Sequence, residues 1–347
     1  MTSQCTSGVI EPCRKDNLRP ALTLASAVLV AALASISGAA SAEWLGDRRQ
    51  WLGAEISVQL WHDDKSAGES AVEAVFTEIA RIDELMRTDI EGSRISLINS
   101  GAAIRAVPAG DELYDLIVRS LDISLLTRGA FDITFDSDGR HFDPARQRPN
   151  RATGRQELDR ISYRLVKTHP SSKSIYFLDP GVHIDLGGIA NGYAVERGAG
   201  ILRELGIRHA IVTAGGDSRL VGDRRGEPWI IDVRDPRKDG EVAIRIPLEN
   251  EAISTSDDHD RYFEEEGDRY HDIMQPATGE PAEGIRSATV VGPDAVITDA
   301  LSTSVFVMGI EEGLRLISTL PDYEAILIDA DGQFFYSRDL RSPEQKL

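Results

Sequence analysis

The stretch from Val182 to Asp217 constrains the fold most, because the period of its apolar residues changes twice in about 35 positions. Val182, Ile184 and Leu186 alternate as on a strand, and Gly187-Gly188 interrupts them. Ile189, Tyr193, Ile201, Leu202 and Leu205 then repeat at helical spacing, and HAIVTAGG returns to a strand pattern. A strand, a glycine corner, a helix and a second strand belong to a layered protein containing both element types. A helix that begins on glycines also turns free backbone N–H groups and the positive end of its dipole toward any anion. The same glycines also suit a tight corner with close packing, and spacing alone leaves both uses open.

The rest of the chain extends the mixture without strict alternation. GAEISVQLWH (53–62) alternates like a strand, and Val72, Val75, Phe76, Ile79 and Ile82 mark a helix. A loop, RTDIEGSRISLIN, leads to a second helix, DELYDLIVRSLDISLLTRG, closed by Gly129. After the helix at 189–205 come strands at HAIVTAGG, around Trp229 and around Ile244, and then the segment AISTSDDHDRYF. SATVVGP, helices at 298–308 and 311–318, and a last strand at EAILIDA follow. This pattern predicts an α+β domain with a mixed sheet and flanking helices.

The N-terminus reads differently. Arg14, Lys15 and Arg19 precede an uncharged run, Pro20 to Ala42, that ends in SGAASA. This is the arrangement of a secretory signal cut after Ala42, giving residues 1–42 as signal peptide and 43–347 as the mature domain. An uncleaved membrane anchor is the alternative, because 23 uncharged residues are enough to span a bilayer. Cys5 and Cys13 both lie before the run, so the mature domain has no disulfide and no thiolate chemistry. Taking 3 basic and 2 acidic residues from totals of 38 and 57 leaves 35 against 55, a net charge of −20, which argues against nucleic acid as a partner.

Three further groups carry potential chemistry. Asp299 and Thr303 lie four apart on one helix face, a partial oxygen shell for Mg²⁺. A dipole-facing Asp and a Thr bonded back into its own helix would read the same way. ISTSDDHDRYF and RYHDIMQPATG gather Asp257, Asp258, His259, Asp260, His271 and Asp272, which are acid–base candidates or a solvated acidic loop. The seven histidines form no zinc motif. Arg140, Arg146, Arg148, Arg151 and Arg155 form a basic loop suited to a pyrophosphate or an acceptor, or simply to exposure.

Taken in order, SRISLIN, TRGAFDIT, DLGGIANGYAVERGAGILRELG, AGGDSRLVG, ISTSDDHDRYF, QPATGEPA and TDALSTSVFVMG resemble the ApbE family of FAD:protein FMN transferases, from about Gly53 to Gly309. The resemblance implies a single ApbE-like, T-fold-like domain in an exported, periplasmic enzyme. Such an enzyme binds FAD and Mg²⁺, attaches FMN by a phosphoester to a Thr or Ser of an acceptor protein, and releases AMP. It further implies that the carbonyl of Ala190, the carboxylate of Asp299 and the hydroxyl of Thr303 hold the metal. Gly187, Gly188, Asp132, Thr213, Ala214, Gly215, Gly216, Asp217, Ser254, Thr255 and Ser256 would line the nucleotide pocket, and Asp257, His271 and Asp272 are the candidate proton acceptors. The implied acceptor is a flavoprotein of a membrane-associated electron-transfer complex. The chain departs from the family at Asp89, Arg94, Asn191, Asp272 and Gln275, where Tyr, Glu, Lys, His and Asp are usual. These departures keep open a flavin-delivery protein and an Mg²⁺-dependent FAD pyrophosphatase.

Overall fold

A computed structural model describes residues 42–138, 142–143, 148–149, 158–238, 240–258, 262–265, 268–271 and 273–337. The apolar leader, the arginines from 140 to 155 apart from the backbone of Arg148, His259, Asp260, Asp272 and the side chain of His271 lie outside the described residues.

Eight strands form the main sheet. Their chain order includes a two-stranded ribbon: β1 (Glu43–Trp51), β2 (Ala54–His62), β3 (Ala210–Ala214), β4 (Asp217–Val221), the ribbon β5 (Trp229–Arg234) and β6 (Val242–Leu248), then β7 (Ala252–Asp257), β8 (Ile285–Gly292), β9 (Glu324–Asp329) and β10 (Phe334–Tyr336). The order across the sheet is β1-β2-β3-β4-β7-β8-β9-β10, and each of these neighbours pairs antiparallel. The helices are α1 (Lys65–Met86), α2 (Arg94–Gly101), α3 (Asp111–Leu126), α4 (Gly187–Glu204), α5 (Ala295–Met308) and α6 (Ile310–Ile317). The α+β expectation holds, with a main sheet that is antiparallel between all its neighbours where a mixed sheet was expected.

Strand alternation gives the sheet two apolar faces. Ile56, Val58, Leu60, Ala210, Val212 and Ala214 join the stripe of α1 (Val72, Val75, Phe76, Ile79, Ile82) and α4 (Ile189, Val195, Leu202) in the largest core. Ala288, Val290 and Leu327 pack on Leu301, Val305 and Phe306 of α5. On the opposite face Leu220, Ile253, Val291 and Ile326 are covered by Trp229, Val233, Ile246 and Leu248 of the ribbon. Both faces of the sheet are therefore buried over much of their area.

Two local readings change in three dimensions. SRISLI, expected as loop, forms α2, capped by Ser93, whose side chain accepts from the amide of Ser96. VHIDL, expected as strand, pairs with no sheet. The Asn99 side chain brackets Ile184 instead, donating Nδ2 to its carbonyl at 2.9 Å and accepting its N–H at 2.8 Å. Ser137 accepts from the amide of His183 and donates to its carbonyl in the same way. Remote side chains thus satisfy the backbone groups that a ladder would have used.

α4 and α5 meet at Gly192. A Cβ there would collide with the carbonyl oxygen of Ala295 and lie 2.6 Å from the Asp299 Cβ. The contact is between backbones, so no side chain can rotate away to relieve it. Glu196 of α4 then clamps the start of α5, accepting from the amide of Ala295 at 2.9 Å and from Nε of Arg219 at 2.9 Å. Gly192→Ala is expected to destabilise the fold by about 3 kcal/mol, the upper part of the usual overpacking range, measured as a lower denaturation midpoint by urea with circular dichroism. An unchanged midpoint would show that the helices can separate at no cost.

Candidate metal and nucleotide site

The site grows from this helix contact. α5 starts at Ala295, and its cap is Asp294, which accepts from the amides of Val296 and Ile297. Asp299 is therefore not a capping residue. It lies within the helix, is 7% exposed, and accepts at 2.8 Å from the amide of Gly192 in α4. One turn on, the Thr303 hydroxyl does not bond back into its own helix as Ser302 and Ser304 do, but lies 3.1 Å from Ser256 Oγ. The two simpler readings of this pair, dipole partner and back-bonded threonine, do not describe the observed geometry.

A second carboxylate comes from the β3–β4 hairpin. Ala214 pairs with Asp217, so Gly215 and Gly216 form a two-residue turn with Gly215 at φ +57°. A Cβ on Gly216 would lie 2.5 Å from the carbonyl oxygen of Thr255, which makes the turn glycine-specific at both positions. Asp217 is 6% exposed, with Ser254 and Asn191 as neighbouring side-chain donors. Burial pushes its carboxyl up to about 7 against the help of those two donors. Burial and then the nearby charge of Asp217 push Asp299 well above the usual carboxylate range, opposed by the Gly192 amide.

A hydroxyl ladder joins this pair to the sheet. Ser254 Oγ lies 2.8 Å from Thr298 Oγ1, and Ser256 Oγ lies 2.8 Å from Ser302 Oγ. The period of the strand decides which predicted residues belong here. Ala214, Asp217, Ser254 and Ser256 face the helices. Thr213, Thr255 and Asp257 line a separate cleft of about 370 Å³ beneath the ribbon, with Ser218, Asp232 and Arg234. Asp257 thus lies on the opposite side of the sheet from Asp299. Asp132 is also engaged elsewhere: its carboxylate accepts from the amide and hydroxyl of Thr134 and from the amide of Tyr163.

A cavity of about 550 Å³ opens beside the first turn of α4 and is lined by Asp185, Gly187 and Ala190. Across it lies the tip of the β1–β2 hairpin, Trp51-Leu52-Gly53, with Met86, Arg87 and Asp89 from the end of α1. Leu52 sits at φ +54°, a conformation that side chains rarely adopt, and its amide is held at 3.1 Å by Asp83. Asp185 accepts from the Gly187 amide at 2.6 Å, so one free amide of the helix start is already used. Asp89, expected at the flavin-contacting edge, forms a 2.6 Å ion pair with Arg87 that holds its carboxyl below the usual range. Arg94 begins α2 directly after its serine cap, and the Gln275 amide closes a turn onto the Glu280 carbonyl. Sequence reasoning missed the roles of Glu196 and Arg219, although both lie in the quoted motifs, and missed the hairpin tip, which no motif marks.

Two buried carboxyls, a helix start and an adjoining cavity form a candidate site for a cation and an anionic ligand in an α+β protein. The ApbE family profile matches residues 52–327, and the chain belongs to the ApbE family. It is similar to an FAD:protein FMN transferase of Klebsiella pneumoniae, 26% identical over 84% of this chain and 90% of that one. One from Vibrio cholerae is 30% identical over 69% of this chain and 75% of its own length. Among solved structures, the ApbE protein of Thermotoga maritima superposes with a TM-score of 0.77 at 31% identity, covering 88% of this chain and 98% of that one.

A pH dependence follows from the two carboxyls. Burial favours their neutral forms, so the folded chain holds these protons to higher pH than the unfolded chain does. The stability of metal-free protein is expected to fall by up to about 4 kcal/mol as pH rises from about 4 to about 7, with no further loss from Asp217 above that. Asp217→Asn is expected to flatten this decline in denaturant titrations across the range. The separate loss at acid pH, from Glu78 held at about 2 by Arg81 and Arg197, should remain. A wild-type profile that is level from pH 4 to 7 would contradict the assignment.

Proposed function

We propose that the chain is an Mg²⁺-dependent FAD:protein FMN transferase acting on an exported acceptor. The observation that carries this reading is the buried pair Asp217–Asp299 with the Asn191 Oδ1 atom, which is buried and has no hydrogen-bond partner. Two carboxylates and an unused acceptor oxygen cannot satisfy one another, whereas a hard cation satisfies all three. Among the described residues no three His, Cys, Asp or Glu side chains converge, so a cation here draws on neutral oxygens and on its substrate. Mg²⁺ suits that, since it takes few protein ligands and keeps the rest of its octahedron for phosphate and water.

In this reading Asp299, Thr303 and the Ala190 carbonyl hold the ion, with Asp217 beside them. The bound ion would neutralise phosphate charge and align the leaving group. The chain's own residues do the rest. The cavity between the β1–β2 hairpin and α4 takes the flavin half of FAD, with its pyrophosphate at the first turn of α4. Asp185 and the buried carboxylates make that turn repel phosphate until the cation is present. The acceptor's Thr or Ser oxygen bonds to the FMN phosphorus, the bond to the AMP oxygen breaks, and AMP leaves. The hydroxyl proton passes to a base, for which His271 and Asp272 remain the candidates. Asp257 is disfavoured by its place under the ribbon. Export of residues 43–347 after loss of the 1–42 leader, and an acceptor in a membrane-associated electron-transfer complex, complete the proposal.

Intact-mass measurement of a flavinylatable acceptor domain after incubation with residues 43–347, FAD and Mg²⁺ tests it. The expected result is a gain of one FMN with equal AMP, reduced at least about 100-fold by Asp299→Ala. Flavin bound without AMP would instead identify a delivery protein, and AMP without acceptor modification an FAD pyrophosphatase.

A further inference from the structure

The Asn191 side chain has two unlike ends in the structure. Its amide nitrogen rests against the Gly215 turn, 4.0 Å from where a Cβ on that glycine would be, and the side chain is a neighbour of Asp217 that favours its ionised form. Its Oδ1 is sealed from solvent and accepts nothing. The next residue, Gly192, gives its amide to Asp299. Asn191 therefore sits on the helix turn that joins the two carboxylates, with an oxygen whose acidic neighbours, once ionised, have no proton to give. Leaving a buried amide oxygen unmade costs about 1–3 kcal/mol, a cost that a cation at this point removes.

We infer that Asn191 is a determinant of cation affinity in this protein, its Oδ1 supplying a neutral oxygen to the ion drawn by Asp217 and Asp299. The inference rests on the metal site proposed above and adds a residue with no charge of its own. With a neutral amide between them, the two carboxylates have no internal counter-charge in this turn. The imported ion must neutralise both, so metal binding and the stability of the α4–α5 contact are coupled.

The test is Mg²⁺ titration of the mature chain without FAD, read by calorimetry and by the Mg²⁺-induced rise in Tm, for wild type, Asn191→Leu, Asn191→Asp and Asp299→Asn. Wild type should bind Mg²⁺ and gain Tm. Asn191→Leu, close in size but without the oxygen, should bind about 10- to 100-fold more weakly, the range for supporting residues of metal sites. Asn191→Asp keeps the oxygen and adds charge, so it should bind at least as tightly as wild type and lose more Tm when the metal is removed. If Asn191→Leu matches wild type while Asp299→Asn fails, the metal reading stands and the inference falls. If wild type does not bind Mg²⁺, both fall. Should the leucine variant not fold, the aspartate variant decides alone: weaker binding than wild type, or an unchanged loss of Tm on metal removal, overturns the inference.

Discussion

The close approach of α4 and α5 at Gly192 is the constraint on which the rest of the site depends. With no Cβ at that position, the Gly192 amide reaches Asp299 and the start of α5 comes within range of Glu196. Arg219, 6% exposed, extends the clamp into the sheet by donating to Glu196 and to the carbonyls of Leu220 and Asn250. A buried arginine with several acceptors is tolerable, and one that loses its carboxylate is not. The two helices are therefore fixed to each other and to β4 before any ligand arrives. That rigidity holds two carboxyls together in a medium that disfavours their charge.

The sheet contributes a division of labour. Its inner face near the site carries hydroxyls, Ser254 and Ser256, which meet Thr298, Ser302 and Thr303 of α5 at hydrogen-bond distance. Apolar side chains at these positions would pack, but would take from Thr303 the hydroxyl it meets, whereas Thr298 and Ser302 also donate to carbonyls of α5. The outer face carries Thr213, Thr255 and Asp257 toward the ribbon, where Thr255 bonds Thr289 and Thr213 bonds Ser218. Adjacent residues of one motif, Ser254-Thr255-Ser256, thus serve two environments on opposite sides of the sheet.

The cavity is shaped by a strained tip. A two-residue hairpin turn favours glycine or asparagine where both residues have positive φ, yet Leu52 occupies the first position at +54° with Gly53 following at +72°. The Asp83 carboxylate on α1 compensates by accepting the Leu52 amide. The result is an apolar wall facing a helix start, with the ion pair Arg87–Asp89 at its rim. A ligand with an aromatic half and a charged half is complementary to that asymmetry.

Much of this was legible in the sequence. The glycine pair at 187–188, the helical stripe of α4, the four-residue spacing of Asp299 and Thr303, and the ordered motifs that place the chain in its family are all local patterns set by period and composition. β1, β4 and α2 were not legible, because DRRQ, DSR and a short amphipathic turn carry too little periodic signal to outweigh their polarity. VHIDL read as a strand and is not one, since its backbone partners, Asn99 and Ser137, come from distant parts of the chain. By itself the sequence determined where the strongly periodic elements form and which residue types stand at their ends. Only the tertiary structure decided that Asp217 and Asp299, far apart in the chain, share one buried volume while Asp257 does not. Sequence spacing fixes a side chain's direction within its own element, whereas the neighbour it meets, and the burial that shifts its proton affinity, exist only after the elements pack.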